Sequence, residues 1–360
     1  MRRVPSWLAA LCCTLVLGAC GVDVAPESAL TGVTELSGGP RHVCALDADA
    51  RVRCWGDNKY GQLGTGSTAG VEVPSPVAEL MDVSDLDVGE DFSCAVVAGG
   101  AIRCWGLNTA GQLGDGTTHN IAMVPVAVAG VEGATAVAAG DDHTCALLGD
   151  RSVRCWGGND FGQLGDGTTV ERLRPVEVRG LPPATAISAG IGFTCALLQD
   201  GRVACWGLNA RGQLGDGSHE DRARPRTVAL DDATAISSGP ASTCAVASGG
   251  AVRCWGAGDS GQAGAPVSAS ISRPSAVGWL TGATRVVVGE RQACAIGPDG
   301  TARCWGWDGK RSSTVPVPLT TSPVSAGDAP VAMLGDRICA IVPDDGSVRC
   351  ASSGWAAGRG

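Results

Sequence analysis

Cysteine is the residue whose placement in this chain most invites chemistry. Seven close pairs recur along it: Cys44 and Cys54, Cys94 and Cys104, Cys145 and Cys155, Cys195 and Cys205, Cys244 and Cys254, Cys294 and Cys304, and Cys339 and Cys350. The first six pairs each enclose nine residues and the last encloses ten. Three roles suit thiols in such an array. A disulfide needs its two Cα atoms within about 7 Å, which a tight hairpin supplies. A zinc site usually shows a Cys-x-x-Cys step, and the chain has none. Buried free thiols would serve only as small apolar side chains. Recurrent spacing in a chain that reads as exported favours seven disulfides, each worth about 2–3 kcal/mol less any strain.

No other residues read as reactive. Gly-x-Ser-x-Gly, His-Glu-x-x-His and P-loop signatures are missing from the sequence. Of the four histidines, His42 and His143 stand in turns, and His119 and His219 stand in Gly-rich loops. A non-enzyme with no cofactor and no metal is the expectation. A hydrolase would need a His, a carboxylate and a Ser brought together from distant segments.

The elements that must position the cysteines repeat with them. Five of the six steps between first cysteines are 49–51 residues, and the last is 45. Each unit opens on an apolar run ending in Gly, such as Thr135–Gly140 or Thr185–Gly190. Three variable residues, a Cys-Ala-Leu run and a polar turn such as Leu198-Gln199-Asp200-Gly201 follow. The return run is Val-Arg-Cys-Trp-Gly in most units. A stretch reading Gly-x-Asn-x-x-Gly-Gln-Leu-Gly spans Gly106–Gly114, Gly157–Gly165 and Gly207–Gly215, and a segment such as Arg174–Val178 closes the unit. Short alternating runs bounded by Gly, Pro, Asn and Asp predict four strands per unit. Pairing Cys44 with Cys54 puts Leu46 opposite Val52 and the turn at Ala48–Ala50. Cys44, Leu46, Val52 and Cys54 then share one face, and Val43, Ala45, Arg53 and Trp55 the other. Apolar groups on both faces suit a sheet held between two neighbouring sheets. Radial repetition of such units predicts an all-β, seven-bladed β-propeller over residues 30–360, with one hairpin disulfide per blade. With 54 glycines in 360 residues, no stretch sustains a helical period. The last unit stops short of a fourth strand, and Val22-Asp23-Val24 precedes the first unit at that strand's spacing. Either residues 20–29 cross over to close the ring, or they form a tether.

The runs Gly140–Leu147 and Cys155–Gly165 closely resemble the repeat of the regulator of chromosome condensation family. The resemblance covers about residues 30–355 and implies a seven-bladed propeller. Departures fall towards the end: Ala263 replaces Leu in unit five, unit six reads Trp307-Asp308-Gly309, and Ala351 replaces Trp in unit seven. The founding member's nucleotide-exchange activity on a nuclear GTPase is not carried over to a chain that reads as exported. A secreted bacterial relative that inhibits β-lactamases through loops on one face fits the compartment better.

That compartment is read from the N-terminus. Met1-Arg2-Arg3 precedes a mostly apolar Val4–Leu17, too short to span a bilayer. Residues 1–19 therefore read as a signal peptide. Leu17-Gly18-Ala19-Cys20 resembles a bacterial lipoprotein signal, with Cys20 as the lipidated residue; the alternative is an ordinary signal that leaves Cys20 a free thiol. Lipidation there leaves fourteen cysteines, all paired. The whole chain carries 27 basic and 36 acidic side chains, which disfavours nucleic acid as a partner.

Candidate contact residues follow from the ring. The third variable residue of each unit reads His42, Phe92, His143, Phe193, Ser242, Gln292 and Arg337. Glu90-Asp91, Asp141-Asp142, Glu290 and Asp336 precede four of them. Variable residues in a fixed frame, gathered at one mouth, are where a repeat protein places recognition; the other reading is that they pack the turn. Trp55, Trp105, Trp156, Trp206, Trp255 and Trp305 read as packing between blades rather than as a sugar-stacking ring. Arg53, Arg103, Arg154, Arg253, Arg303 and Arg349 read as satisfied by nearby Asp and carbonyl groups. Asn58, Asn108, Asn159 and Asn209, and Asp115, Asp166 and Asp216, read as turn chemistry rather than calcium ligands. Trp279 and Trp307 break the repeat and are candidates for exposed contacts. The expected protein is a monomeric, lipid-anchored scaffold of the bacterial cell envelope, at the outer membrane or cell surface. It binds a protein through loops on one face. The alternatives are a cell-wall or carbohydrate binder, or an inhibitor of secreted enzymes.

Overall fold

Alternation along the chain is realised as a series of four-stranded antiparallel meanders. The computed structural model describes residue 30 and residues 32–264, 267–278, 280–307, 312–318, 331–334, 337–341 and 348–352. Blade one consists of β1 (Val33–Gly38), β2 (His42–Asp47), β3 (Val52–Gly56) and β4 (Val71–Pro76), paired in that order. Cys44 lies opposite Cys54 and Leu46 opposite Val52, as their spacing predicts. Six sheets have four strands, their first strands being β1, Asp85–Val88, Ala134–Ala139, Ala184–Gly190, Ala233–Ser238 and Arg285–Val288. Among the described residues a seventh four-stranded blade is not confirmed. The sheet formed by Val331–Leu334, Arg337–Ile341 and Val348–Ser352 has three strands, and residues 20–29, the predicted closing segment, lie outside the described residues. Contacts between β1 and Val331–Leu334 bring this sheet against blade one.

Intra-blade disulfides join the two central strands of all six four-stranded sheets: Cys44–Cys54, Cys94–Cys104, Cys145–Cys155, Cys195–Cys205, Cys244–Cys254 and Cys294–Cys304. In the three-stranded sheet Cys339 is disulfide-bonded and pairs in register with Cys350.

The core is distributed between sheets. Cys44, Leu46, Val52 and Cys54 pack with Leu86, Ala95 and Trp105 of blade two, while Val43, Ala45 and Trp55 pack with Ala332 and Cys339 on the other side. Both faces of the hairpin are thus used, as its alternation requires. The recurring Trp is the largest piece of each interface. Trp105, Trp156, Trp206, Trp255 and Trp305 are fully buried. Each indole N–H donates across the interface to the Gln carbonyl of the preceding Gly-rich loop, from Trp105 to Gln62 at 2.8 Å through Trp305 to Gln262 at 2.7 Å. The strand register slips between the Cys and Gly that flank the Trp, as a β-bulge does.

Trp156→Phe should therefore lose about 1–2 kcal/mol by removing the donor to Gln112, and Trp156→Ala about 3–5 kcal/mol by opening a cavity. Urea unfolding of the oxidised protein reads both; equal stability of all three proteins would show that the indole does not hold the interface.

Candidate functional site

Each first strand runs towards one end of the disc and ends at a Gly, and the turns that follow gather around a cavity of about 110 Å³. Gly39, Gly89, Gly140, Gly190, Gly239 and Gly289 line its throat. The close fit of successive blades explains why Gly ends every apolar run. A Cβ on Gly140 would lie 2.8 Å from the Gly190 carbonyl oxygen, and one on Gly239 would lie 2.6 Å from that of Gly289.

The third-position residues do not stand at the surface. His42, Phe92, His143, Phe193, Ser242 and Gln292 are buried, with exposures of 0–1%. These buried side chains do not serve as the partner contacts expected of them. Each sits two residues before the first Cys of its unit, so strand alternation places it on the disulfide face between blades. Phe92, for example, packs with Cys94, Val96 and Trp156. The His143 and Phe193 rings lie directly under Gly140 and Gly190. The side chain of Arg337 lies outside the described residues.

What the mouth does expose is the residues just before them. Arg41 lies 3.7 Å from Asp57, 3.8 Å from Glu90 and 3.6 Å from Asp91. Ile191 is 39% exposed at the rim. A second ring of residues is hydrogen-bonded onto these turns: the amides of Asp57, Leu107, Gly158, Leu208, Ala257 and Trp307 donate to the carbonyls of Arg41, Asp91, Asp142, Gly192, Ala241 and Arg291. Trp307, which breaks the repeat, is half-buried here with the Arg291 guanidinium 5.5 Å from its ring centre. Phe161, 38% exposed, stands beside Gly192. Trp279 lies outside the described residues.

The two turn histidines hold different charge states. Burial pushes His42 down to about 3, so it is neutral. Burial alone would lower His143 too, but Asp141 and Asp142 outweigh it and raise the imidazole to about 9.

Deeper in the channel a second cavity of about 190 Å³ is lined by Ser37, Asp87, Ser188 and Ser237 among others. These side chains solve an edge problem. The first strand of each blade has no partner on its axial side, and an unpaired backbone donor is costly. The preceding blade supplies acceptors: Ser37 for the Val88 amide at 3.0 Å, Asp85 for Val137 at 2.7 Å, Asp87 for Ala139 at 2.8 Å, and Ser188 for Ser238 at 2.8 Å. Burial and mutual repulsion raise Glu35 to about 8; burial, opposed by the Val137 amide, raises Asp85 to about 7; and burial raises Asp87. Sequence reading passed over these residues. The available signal is a Ser or Asp two residues before the Gly that ends the run, as at Ser37, Asp87, Ser188 and Ser237.

The remaining candidates are structural. Asn58 accepts from the Leu63 amide and donates to the Ser67 and Ala69 carbonyls, bracing its own loop. Asp115, Asp166 and Asp216 accept from the amide two residues on, as turn aspartates do. Arg154 donates to the Gly130 carbonyl.

The regulator of chromosome condensation (RCC1) repeat model matches residues 49–96, 100–147, 152–197 and 200–246, and a second model of the same repeat matches five segments from 33–62 to 233–262. Among curated relatives, the human E3 ubiquitin-protein ligase HERC2 is 29% identical over 143 residues, 38% of this chain, and the chain spans 3% of that relative's length. Among solved structures, human WBSCR16 is similar with a TM-score of 0.76 at 20% identity, covering 90% of this chain and 87% of that one. Yeast RCC1 (Prp20) bound to Kap60 is similar with a TM-score of 0.71 at 21% identity, covering 88% and 79%. At these identities the two structures speak for the fold.

The channel carboxylates give a pH signature. Glu35 holds its proton to about 8 in the folded chain against an ordinary value of 4.5, so the stability linked to that proton is complete below 4.5 and is lost as pH rises through 8. Glu35→Gln should leave the thermal midpoint unchanged at pH 4 and raise it at pH 8 by the equivalent of about 1 kcal/mol or more. A variant whose gain is the same at both pH values would refute the assignment.

Proposed function

Because the chain belongs to the regulator of chromosome condensation (RCC1) repeat family, we propose that it is a propeller scaffold that holds a protein partner at the throat end of the disc. The three-stranded sheet is the seventh blade of this reading, lying between blade six and blade one. The contact surface is the ring of turn residues, with exposed Ile191 and Phe161 as apolar elements and half-buried Glu90 and Asp141 and exposed Glu290 as acidic ones. That ring, carried on rigid disulfide-bonded hairpins, is the observation that carries the proposal. Variable side chains on a fixed frame are the pattern repeat proteins use for recognition. An apolar and acidic rim suits a protein with basic and apolar groups, and burial takes Phe92 and Phe193 out of the surfaces a glycan would stack on. The yeast relative was solved with a protein, Kap60, bound to it.

The scaffold acts without catalysis, as a monomer held outside the cytoplasm. Residues 1–19 direct export, and Cys20 carries the lipid that anchors the disc at the cell envelope. The net negative charge keeps it from nucleic acid.

Capture of a partner from cell-envelope extract on the immobilised chain tests the reading. Ile191→Glu combined with Glu290→Arg should abolish capture. Met81→Asp, in the connection leading into the opposite end of blade two and 71% exposed, should leave it intact. Undiminished capture by the double variant would overturn the mouth assignment. Cys20→Ser should move the protein from the membrane fraction to the soluble one; retention on the membrane would remove the anchor.

A further inference from the structure

One turn of the mouth differs from the others in a way that packing does not explain. Three acceptor atoms converge there: His143 Nδ1 lies 3.8 Å from Asp141 Oδ1 and 3.7 Å from Asp142 Oδ1, and all three ligand atoms lie within 4.8 Å of one another. The His143 side chain is fully buried, and its Nδ1 has no hydrogen-bond partner.

The tautomer follows from the other nitrogen. His143 Nε2 lies 2.9 Å from Thr194 Oγ1, and that hydroxyl donates its single hydrogen to the Gln163 carbonyl at 3.0 Å. Thr194 must therefore accept from His143, and Nε2 carries a proton. Nδ1 faces the two carboxylates, which hold a second proton there until a metal ion displaces it. A histidine fixed through its far nitrogen, beside two carboxylate oxygens, is the arrangement that divalent-metal sites use.

The surroundings are shaped to fit. Asp141 Oδ1 accepts from the Gly192 amide at 2.9 Å, and Asp142 Oδ1 accepts from Gln163 Nε2 at 3.2 Å, so both carboxylates are held. At position 158 a Cβ would overlap Asp142 Oδ2. The equivalent residues of the other units in sequence are Asp57, Leu107, Leu208, Ala257, Trp307 and Ser353. The one unit with Gly at this position is the one with Asp-Asp-His in the turn. Unit one supplies the contrast. Its His42 makes the same contact, Nε2 to Ser93 at 2.7 Å, but Pro40 and Arg41 precede it and no carboxylate pair forms.

We propose that Asp141, Asp142 and His143 bind a divalent transition-metal ion of the zinc type. Coordination at about 2.0–2.1 Å needs ligand atoms roughly 3.3 Å apart in a tetrahedral site, a contraction of a few tenths of an ångström for each His–Asp pair and of up to about 1.5 Å within the set. Two carboxylates balance the ion's charge. Asp141 lines the throat cavity, which leaves a coordination position open to solvent or to a partner's side chain. The proposal stands whether or not a partner binds at the mouth.

Metal-free, oxidised chain with residual thiols blocked is titrated with Zn²⁺ by calorimetry and with Co²⁺ by visible absorption. One ion per chain is expected, with cobalt bands of four- or five-coordinate geometry and a shift of the His143 Nδ1 resonance. Gly158→Ala, which removes no ligand, and Asp142→Asn should each weaken binding by about 10-fold or more. His119→Ala and His219→Ala, in surface loops, should not weaken it. Lack of saturable binding, equal binding by wild type and Asp142→Asn, or an equal loss in the surface-His variants would overturn the site. If Gly158→Ala shifts the metal-free melting temperature, Asp142→Asn alone decides.

Discussion

The hydrogen bond from an indole of one blade to a backbone carbonyl of the previous blade is the constraint on which the molecule depends. It recurs at 2.7–2.9 Å at five successive interfaces, and its acceptor always belongs to the Gln of the Gly-rich loop. A buried Trp must satisfy its N–H, and the loop must satisfy its carbonyl. One contact does both. It also dictates the rest of the loop. Asn108 Oδ1 takes the Leu113 amide, fixing the approach of Gln112, and Leu113 fills the space beneath. Gly114 ends the loop at φ +67°, where a Cβ would meet the Trp156 ring. The Thr or Ser beside each first Cys donates to the same Gln carbonyl in blades two to five, so the acceptor is shared between two donors of the next sheet.

On the axial side a different solution operates. The first strands have an open edge, and hydroxyl and carboxylate groups of the preceding blade occupy it. Where the group is Ser the edge is neutral. Where it is Asp85 or Asp87, beside Glu35, the fold accepts carboxyls held above their usual range in order to satisfy amides that would otherwise be bare. The same inner strands deliver the turns to the mouth, so interior satisfaction and surface presentation share a few residues.

Much of this is legible in the residue order. The period gives the unit, and the cysteine spacing gives the hairpin register, because a disulfide between adjacent strands tolerates no slip. The Trp next to a bridging Cys reads as interface because both faces of its strand are apolar. The burial of His42, Phe92, His143 and Phe193 was readable too, since parity with the first Cys puts them on the disulfide face; variability at that position pointed the other way. The channel acids show only as a polar residue recurring two positions before the Gly. Nothing in Leu86-Asp87-Val88 says that the Asp faces a neighbour's amide rather than water, because that depends on how far one sheet is rotated against the next. The meeting of Asp141 and Asp142 with Gly158 was hidden, since they lie at opposite ends of a hairpin in sequence and only its pairing brings them together.

The grip between blades has a direction. Among the described residues the loop reaches forward to the following sheet at five interfaces, so the grip has a sense of rotation. Trp55, in blade one, retains 7% exposure while its five successors retain none. Blades one to six are thus latched in a single sense into one continuous arc, and each blade after the first is gripped by the one before it.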